Sequence, residues 1–471
     1  MEIIGRKYER RMLQDCLEVD RPAFVAVYGR RRVGKTYLIK EHFNNHFAFY
    51  ASAESEGTKA EQLAVFYEAL KKYFTGEIPV PKSWFEAFVQ LEKLLCSLPT
   101  TDKKVVFIDE LPWFDTHKSR FLQALEHFWN TFASSRPDIL LIVCGSAASW
   151  MIKNLIDNYG GLHNRITQSI MLEPFTLAEC EKFFQSRGVV FNRYQMAEAY
   201  MILGGIPYYL ELMDKSLGLS QNIDALLFKK NSKLKDEFQR LYKSLFRSAK
   251  DHIRIVEALG ANTQGLSRQE IIQATGISDG GDLSNKLREL EQCSLISSTE
   301  DFNKNRNGEY YRLVDFFSLF HLKYLKNRRI KDENFWTNYQ LVGAHHNWCG
   351  HTFELVCLAH LQQIKATLGI AGVLTSAYSW RSTDVASPLQ IDLVIDRRDK
   401  VINLCEIKYC NSMFAIDTSY AAHLAMRRQR FAQETGTRSA VHLTMITTYG
   451  ITHNAYANDI QSQVVLDDLF T

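Results

Sequence analysis

At 471 residues the chain is too long for a single hydrophobic core, and about three or four domains are expected. With 46% apolar and 23% charged residues and a net charge of +3, it has the make-up of soluble globular protein, and nucleic acid is allowed as a partner only through a local patch. No run of about 18 apolar residues would span a membrane, the N-terminus has no apolar signal core, and the nine cysteines are scattered without a C-x-x-C pair, which points to reduced thiols, no structural zinc and the cytoplasm.

From residue 1 to about 175, apolar runs of strand length alternate with amphipathic helical stretches. The runs are PAFVAVYG (22–29), HFAFYAS (46–52), KVVFIDE (104–110), ILLIVCGS (139–146) and ITQSIMLEP (166–174), with helix-length segments such as 61–74 and 118–133 between them. That rhythm predicts an α/β fold, a parallel sheet covered by helices. Pro174 closes the last strand, and 176–245 turns almost wholly helical, interrupted by Gly204-Gly205-Ile206-Pro207.

The first sharp motif is Gly29-Arg30-Arg31-Arg32-Val33-Gly34-Lys35-Thr36, which fits G-x-x-x-x-G-K-[ST] between an apolar strand and a helix at Tyr37–Phe43. Backbone amides of such a loop converge on a phosphate at a helix N-terminus, Lys35 neutralises β/γ charge, and Thr36 ligates magnesium, so ATP and Mg2+ are the expected cofactors. The apolar run Val105–Ile108 ends in Asp109 and Glu110 at a strand's carboxyl end, where open α/β sheets bind ligands. Asp109 would hold magnesium through water, and Glu110 would polarise the attacking water as general base. Ser146 ends the adjacent strand, where its hydroxyl either orients the γ-phosphate or merely satisfies a loop. Arg165, at the end of a helix before the strand 166–172, either reaches a neighbouring subunit's γ-phosphate or is a plain surface arginine.

Ile4-Gly5-Arg6, the Gly29–Thr36 loop, VVFIDE, CGSAASWM, LEPFTLAE and GGIPYYL resemble a prokaryotic branch of AAA+ ATPases related to the STAND signalling class. The resemblance covers most of 1–245, with an ATPase core over 1–175 and a helical lid over 176–245. It implies that Gly5 and Arg6 flank the adenine, that Ser146 is a sensor, and that Arg165 is an arginine finger in an active homo-oligomer. It also implies that Gly205 and Pro207 form the lid's nucleotide-sensing turn, and that the run Arg30–Arg32 adds charge near the phosphates.

Over 246–312 the order is helix 250–260, helix 267–275, a turn at Gly276–Gly281, helix 282–293, and a strand-turn-strand with its turn at Asn303–Gly308. This describes a winged helix-turn-helix. Ser267 and Glu270 have the spacing of a capping box. Asn285, Lys286 and Arg288 on the third helix would face a major groove, but Asp282, Glu289 and Glu291 share that helix. The domain therefore either reads DNA or relays between lid and effector. Residues 313–345 form an aromatic-rich helical connector.

The tail, 346–471, begins with an amphipathic helix at His351–Gln362 and continues as strands 390–396 and 401–408, helix 417–434 and strand 440–447. Asp392 starts one strand, while Glu406 and Lys408 share a face of the next because side chains alternate. Two carboxylates can hold magnesium against a scissile phosphate, with lysine orienting or activating water. Glu354 on the helix would add a third carboxylate. The arrangement resembles the PD-(D/E)XK nuclease superfamily over about 345–450, the matching residues being Glu354, Trp380, Asp392, Glu406 and Lys408, with Ile391 replacing the proline before the aspartate. Basic clusters at Arg328–Lys331 and Arg427–Arg430 would supply phosphate contacts, with DNA ahead of RNA as partner.

The expected architecture is α/β multidomain: a P-loop AAA+ parallel sheet with a helical lid, a winged helix-turn-helix, and a C-terminal α/β restriction-nuclease-like domain. The expected function is an ATPase controlling a metal-dependent nuclease-like domain that acts on nucleic acid. The alternative is an ATP-driven switch or scaffold whose tail is a non-catalytic binding module.

Overall fold

The five N-terminal apolar runs become strands β1 (Ala23–Tyr28), β2 (Phe49–Ser52), β3 (Lys104–Asp109), β4 (Ile139–Gly145) and β5 (Gln168–Met171), all parallel in the order β2-β3-β4-β1-β5. β3 and β4 are buried throughout and β1 nearly so, as unbroken apolar strands covered on both faces must be. The sequence runs 46–52 and 166–174 pair only over four residues each, because β2 and β5 are the sheet's edges and their ends lack a second neighbour. Helices Lys59–Lys71, Trp84–Ser97 and Phe121–Thr131 bury an aromatic core that includes Phe24, Phe66, Trp84, Phe88, Phe121 and Phe128.

The computed structural model describes residues 3–471 apart from 100–101, 158–159, 163, 247, 300–301, 303–308, 327–331, 340–342 and 385–388. The expected turn at Asn303–Gly308 and the basic cluster at Arg328–Lys331 lie outside the described residues. The chain forms two units, Met1–Pro174 with Arg240–Ala249, and Phe175–Gln239 with Lys250–Thr471.

The second unit starts with helices Leu177–Arg187 and Arg193–Leu203, each opened by a capping box, Thr176 with Glu179 and Asn192 with Gln195. Helix Lys250–Gly260, strand β6 (Leu266–Ser267), helices Arg268–Thr275 and Gly281–Gln292, and strands β7 (Ile296–Thr299) and β8 (Tyr310–Leu313) follow. The three strands form an antiparallel sheet in the order β6-β8-β7. The expected capping box at Ser267 is formed, Ser267 N donating to Glu270 Oε2 at 2.7 Å and Glu270 N to Ser267 Oγ at 3.3 Å.

The last part carries helices Gly343–Ala359 and Leu361–Thr367, then β9 (Thr375–Arg381), β10 (Gln390–Arg397), β11 (Val401–Lys408), helix Thr418–Thr435, β12 (Ala440–Thr447) and β13 (Ser462–Val465). The sheet order is β13-β12-β11-β10-β9, antiparallel across β9, β10 and β11 and parallel across β11, β12 and β13. The helix expected at His351–Gln362 starts earlier and breaks at His360. The buried His360 ring accepts from Leu177 N at 2.9 Å through Nε2, which leaves Nδ1 to donate to Val356 O at 2.8 Å. Among the described residues no helix is long and apolar enough to cross a membrane, and all nine cysteines are free thiols.

Candidate functional site

Because β4 lies between β1 and β3, their carboxyl ends deliver Lys35, Ser146 and the Asp109–Glu110 pair to one edge of the sheet. Lys35 Nζ, almost fully buried, donates to Gly29 O (3.0 Å), Arg30 O (2.9 Å) and Ser146 Oγ (3.1 Å). Ser146 in turn donates to Glu110 Oε1 at 2.8 Å, and its amide to Oε2 at 3.3 Å. Thr36 Oγ1 donates to Asp109 Oδ2 at 2.9 Å. One network therefore joins the loop to both carboxylates.

Two of the unusual backbone positions that make this possible are Gly29 and Glu110. Gly29 has φ 138°, and a Cβ there would sit 2.3 Å from Leu172 O, so only glycine lets the loop pass the exit of β5. Glu110 occupies the left-handed region at φ 49°, a strained position for a residue with a side chain and one that recurs at functional sites. Burial first, and then the neighbouring Glu110 charge, push the Asp109 carboxyl above the usual range, against bonds from Thr36 and Cys144. Cys144 was not foreseen; it is buried in β4 and has no motif of its own. A hydroxyl and a carboxylate converging in this way are hard oxygen donors that fit magnesium.

The remaining expected nucleotide residues are distributed as follows. Gly5 (φ 64°) and Arg6 (φ 56°) kink the chain, and the buried Arg6 donates to Glu173 O at 2.6 Å and Val33 O at 3.5 Å, tying the N-terminal segment to the loop. Arg30 and Val33 are buried, Arg31 donates to Arg240 O at 3.2 Å, and Arg32 has φ 70°. Arg165 is not at the end of a helix. The preceding helical segment stops at Ile156, Gly160 and Gly161 disfavour its continuation, and Arg165 sits exposed in a turn with its amide bonded to Leu162 O at 3.1 Å. Pro207 is the first residue of helix Pro207–Glu211 in the second unit. Gly205 before it has φ 64°, and a Cβ would meet Phe175 O at 2.3 Å.

In the tail, Leu393 pairs with Cys405 across β10 and β11, so Asp392 and Glu406 are the next opposed positions. A register shift between Ile391 and Val394 in the β9–β10 pairing brackets Asp392, and such bulges re-aim a side chain. Asp392 Oδ1 accepts from Gln390 Nε2 at 2.6 Å and lies 3.5 Å from Arg312 Nη2. Glu406 is bound by Lys408 at 3.0 Å, by the Arg427 guanidinium and by the Tyr420 hydroxyl, and these partners hold its carboxyl below the usual range despite burial, which alone would raise it. Glu354 is raised, chiefly by burial and then by Asp392, while His351 at 3.6 Å opposes the shift. Among the described residues no three His, Cys, Asp or Glu side chains form a metal-holding group, so Glu354, Asp392 and Glu406 are not gathered into one in this conformation. Trp380 is fully buried against Phe431 at 5.4 Å and belongs to the tail's core.

Several of the basic residues expected to meet nucleic acid are engaged within the protein. Arg427 binds Glu406, Arg430 binds Asp384 at 2.7 Å, and Lys286 binds Asp282 and lies 3.8 Å from Asp251, while Asn285 and Arg288 stay exposed. Sequence reasoning missed Tyr420 as a site residue and took Arg427 only for a phosphate contact. Their i, i+7 spacing on helix Thr418–Thr435 puts them on one face and was the available signal. Arg312 gave none, since 80 residues separate it from Asp392.

Residues 4–213 match the model of a family described as an ATPase domain predominantly from Archaea. An uncharacterized protein of Methanocaldococcus jannaschii is 24% identical over 372 residues, 77% of this chain and 78% of that protein. Among solved structures, a Walker-type ATPase of Pyrococcus abyssi is similar at 20% identity and TM-score 0.47, over 68% of this chain and 96% of that one. The Aeropyrum pernix ORC2 protein, solved with ADPNP and ADP, is similar at 13% identity and TM-score 0.43, over 68% and 93%. The loop geometry and the family match agree on one statement: residues 4–213 carry a P-loop ATPase domain.

Proposed function

We propose that the chain binds and hydrolyses ATP as an AAA+/STAND-like switch that governs a second unit acting on nucleic acid. The observation that carries the ATPase part is the connected network from Lys35 through Ser146 to Glu110, beside Thr36 and Asp109. Lys35 takes the β/γ-phosphate charge, Thr36 and Asp109 hold magnesium, and Glu110 accepts the proton of the attacking water. Ser146, bonded at once to the phosphate lysine and to the base, registers the γ-phosphate by what it must release. The exposed Arg165 suits an arginine finger reaching a second copy, a contribution of about 10³–10⁵ in rate for groups of this kind.

For the second unit, the order helix, strand, helix, helix and two strands supports a winged helix-turn-helix, and a helix, three antiparallel strands, a crossover helix and a parallel strand support a restriction-nuclease-like tail. Magnesium or manganese held by Asp392 and Glu406, with Lys408 at the water, is the chemistry of that reading. The non-catalytic alternative has an observation in its favour: both carboxylates are ion-paired by protein cations.

The test has two arms. Glu110→Gln should bind ATP without turning it over, and unchanged hydrolysis would remove Glu110 from the role. Asp392→Ala should abolish metal-dependent cutting of DNA or RNA while ATP hydrolysis persists; wild-type protein that cuts nothing under any metal or nucleotide condition would establish the binding-module reading.

A further inference from the structure

Helix Arg193–Leu203 is buried without exception from Met196 to Leu203, which makes it a rod within a core and not a surface cover. Its carboxyl end runs into Gly204–Pro207, the turn expected to sense nucleotide, where Gly205 O accepts from Phe175 N at 2.8 Å. Tyr194, Glu198 and Met201 repeat at i, i+4 and i+7 and therefore share one face. On the tail's helix Gly343–Ala359, His345, Cys349 and Thr352 have the same spacing. The two stripes meet. Glu198 Oε1 lies 3.9 Å from His345 Nε2, and Thr352 Oγ1 donates to Met201 Sδ at 3.1 Å, with Met201 and Thr352 both fully buried.

The same face ends beside two candidate residues of the tail. Thr352 stands two positions before Glu354 on one helix. Tyr409 directly follows Lys408, the last residue of β11; its ring stacks on Tyr194 at 5.0 Å and 28°, and packs against Phe353, next to Glu354, at 5.4 Å. Tyr194 stacks at the same time on Tyr449, beyond β12, at 5.8 Å and 16°. The small sheet β6–β8 meets the tail elsewhere: the Arg381 guanidinium of β9 lies 4.1 Å over the Tyr310 ring of β8, and Arg312 faces Asp392. Helix Arg193–Leu203 thus supports the Glu354 and Lys408 side of the candidate residues, and the small sheet supports the Asp392 side.

We propose that helix Arg193–Leu203 is a coupling rod from the nucleotide-sensing turn to the tail, with Tyr194 and Met201 as positioning residues for Lys408 and Glu354. A helix packed all round moves as one piece, because close-packed interiors transmit displacement. A shift of the turn at its carboxyl end is carried along 11 residues, about 16 Å, to the Tyr194 ring. Regulation by this route bypasses the winged helix-turn-helix, which is thereby released from the relay role. The inference rests on the ATP-switch reading, and it holds whether the tail cuts nucleic acid or only binds it.

The test is amide hydrogen exchange on the full chain, read by mass spectrometry with ADP and with a non-hydrolysable ATP analogue and magnesium. In wild type, exchange over 193–203, 349–357 and 404–409 should differ about fivefold or more between the two nucleotides. Tyr194→Ala removes the stack, and Thr352→Val removes the hydroxyl at nearly constant volume. Each should keep the difference at 193–203 and lose most of it at 349–357 and 404–409, with nucleotide-free protection of 193–203 showing that the variant is folded. Tyr310→Ala, on the small sheet, should leave all three differences in place. A tail response that survives both Tyr194→Ala and Thr352→Val, or that disappears with Tyr310→Ala alone, overturns the rod. A wild-type response at 193–203 with none in the tail overturns it too, and leaves the ATP switch standing. Nucleotide that does not bind, or that binds with no response in either place, overturns the ATP-switch reading and the rod with it.

Discussion

The ATPase domain and the tail each gather ionisable side chains at the end of a sheet, yet they handle charge in opposite ways. Lys35 bonds three neutral oxygens, and Asp109 and Glu110 bond hydroxyls and amides, so cation and anions stand side by side with their charges uncancelled by direct pairing. In the tail, Asp392 faces Arg312, and Glu406 faces Lys408 and Arg427. A site that leaves charge unpaired is shaped for a ligand that brings the counter-charge. A site that pairs its own charges is at rest until something displaces the pair.

Acid is the broadest way to press on this difference. In the second unit, burial and then Lys326 lower His321 to about 4, with Glu257 opposing, and burial and then His346 lower His345 to about 4. A base whose folded value lies below its unfolded value of about 6.5 takes up a proton more readily unfolded, so its stability is complete above pH 6.5 and is lost as pH falls toward 4. Each would cost the second unit about 2 kcal/mol by pH 5. Asp109 in the first unit has the opposite sign: its carboxyl is raised, so protonation favours the folded form as pH falls, and the lowered His42 opposes it. Hydrogen-exchange protection, corrected for intrinsic rates, should collapse in the second unit between pH 7 and 5 well before the first. Equal losses in both would break the comparison.

Removing Lys35 is the next largest effect. Lys35→Ala deletes a buried cation that would meet the phosphates, at about 2–3 kcal/mol, so ATP affinity should fall on the order of 100-fold by calorimetry. Ser146 and Glu110 keep their 2.8 Å bond, so the apo domain should still melt cooperatively. Retained affinity would mean that the network serves the fold and not the nucleotide.

The same contrast explains what could be read from the sequence. The candidate nucleotide site was legible because a loop closed over eight consecutive residues, and an apolar strand ending in two acids, fix their own local geometry. The sheet's interior strands were legible for the same reason, since β1, β4 and the middle of β3, Val105–Ile108, are apolar without interruption. β9 and β13 were not: TSAYSWR is half exposed and SQVV is four residues at an edge, so neither carries a burial pattern that distinguishes it from loop. Arg165 was misplaced because a glycine pair ends its helix early. Asp392, Glu406 and Lys408 were visible as candidates, but their partners come from distant segments, and pairing of that kind leaves no local trace.

The smallest and most discriminating effect is on stability without ligand, and it should differ in sign between the two sites. Asp109 is buried, raised by desolvation and by Glu110, and has hydroxyl, thiol and amide partners in place of a bound cation. Asp109→Asn removes a charge the fold does not compensate, so the apo protein should be unchanged or up to about 1 kcal/mol more stable, while magnesium-dependent ATP binding weakens. Asp392→Ala does the reverse. It leaves Arg312 buried without its carboxylate, and breaking a fully buried pair costs about 3–5 kcal/mol; Asp392's side chain is 28% exposed and the contact is long, so about 1 kcal/mol of destabilisation is expected after that screening. Adding Arg312→Gln should recover part of the loss, because the stranded charge goes with it. If Asp392→Ala were neutral and Asp109→Asn destabilising, the tail would hold no working ion pair and the ATP site would be a structural cluster. The distinction between an open and a self-closed site would then fail at both ends.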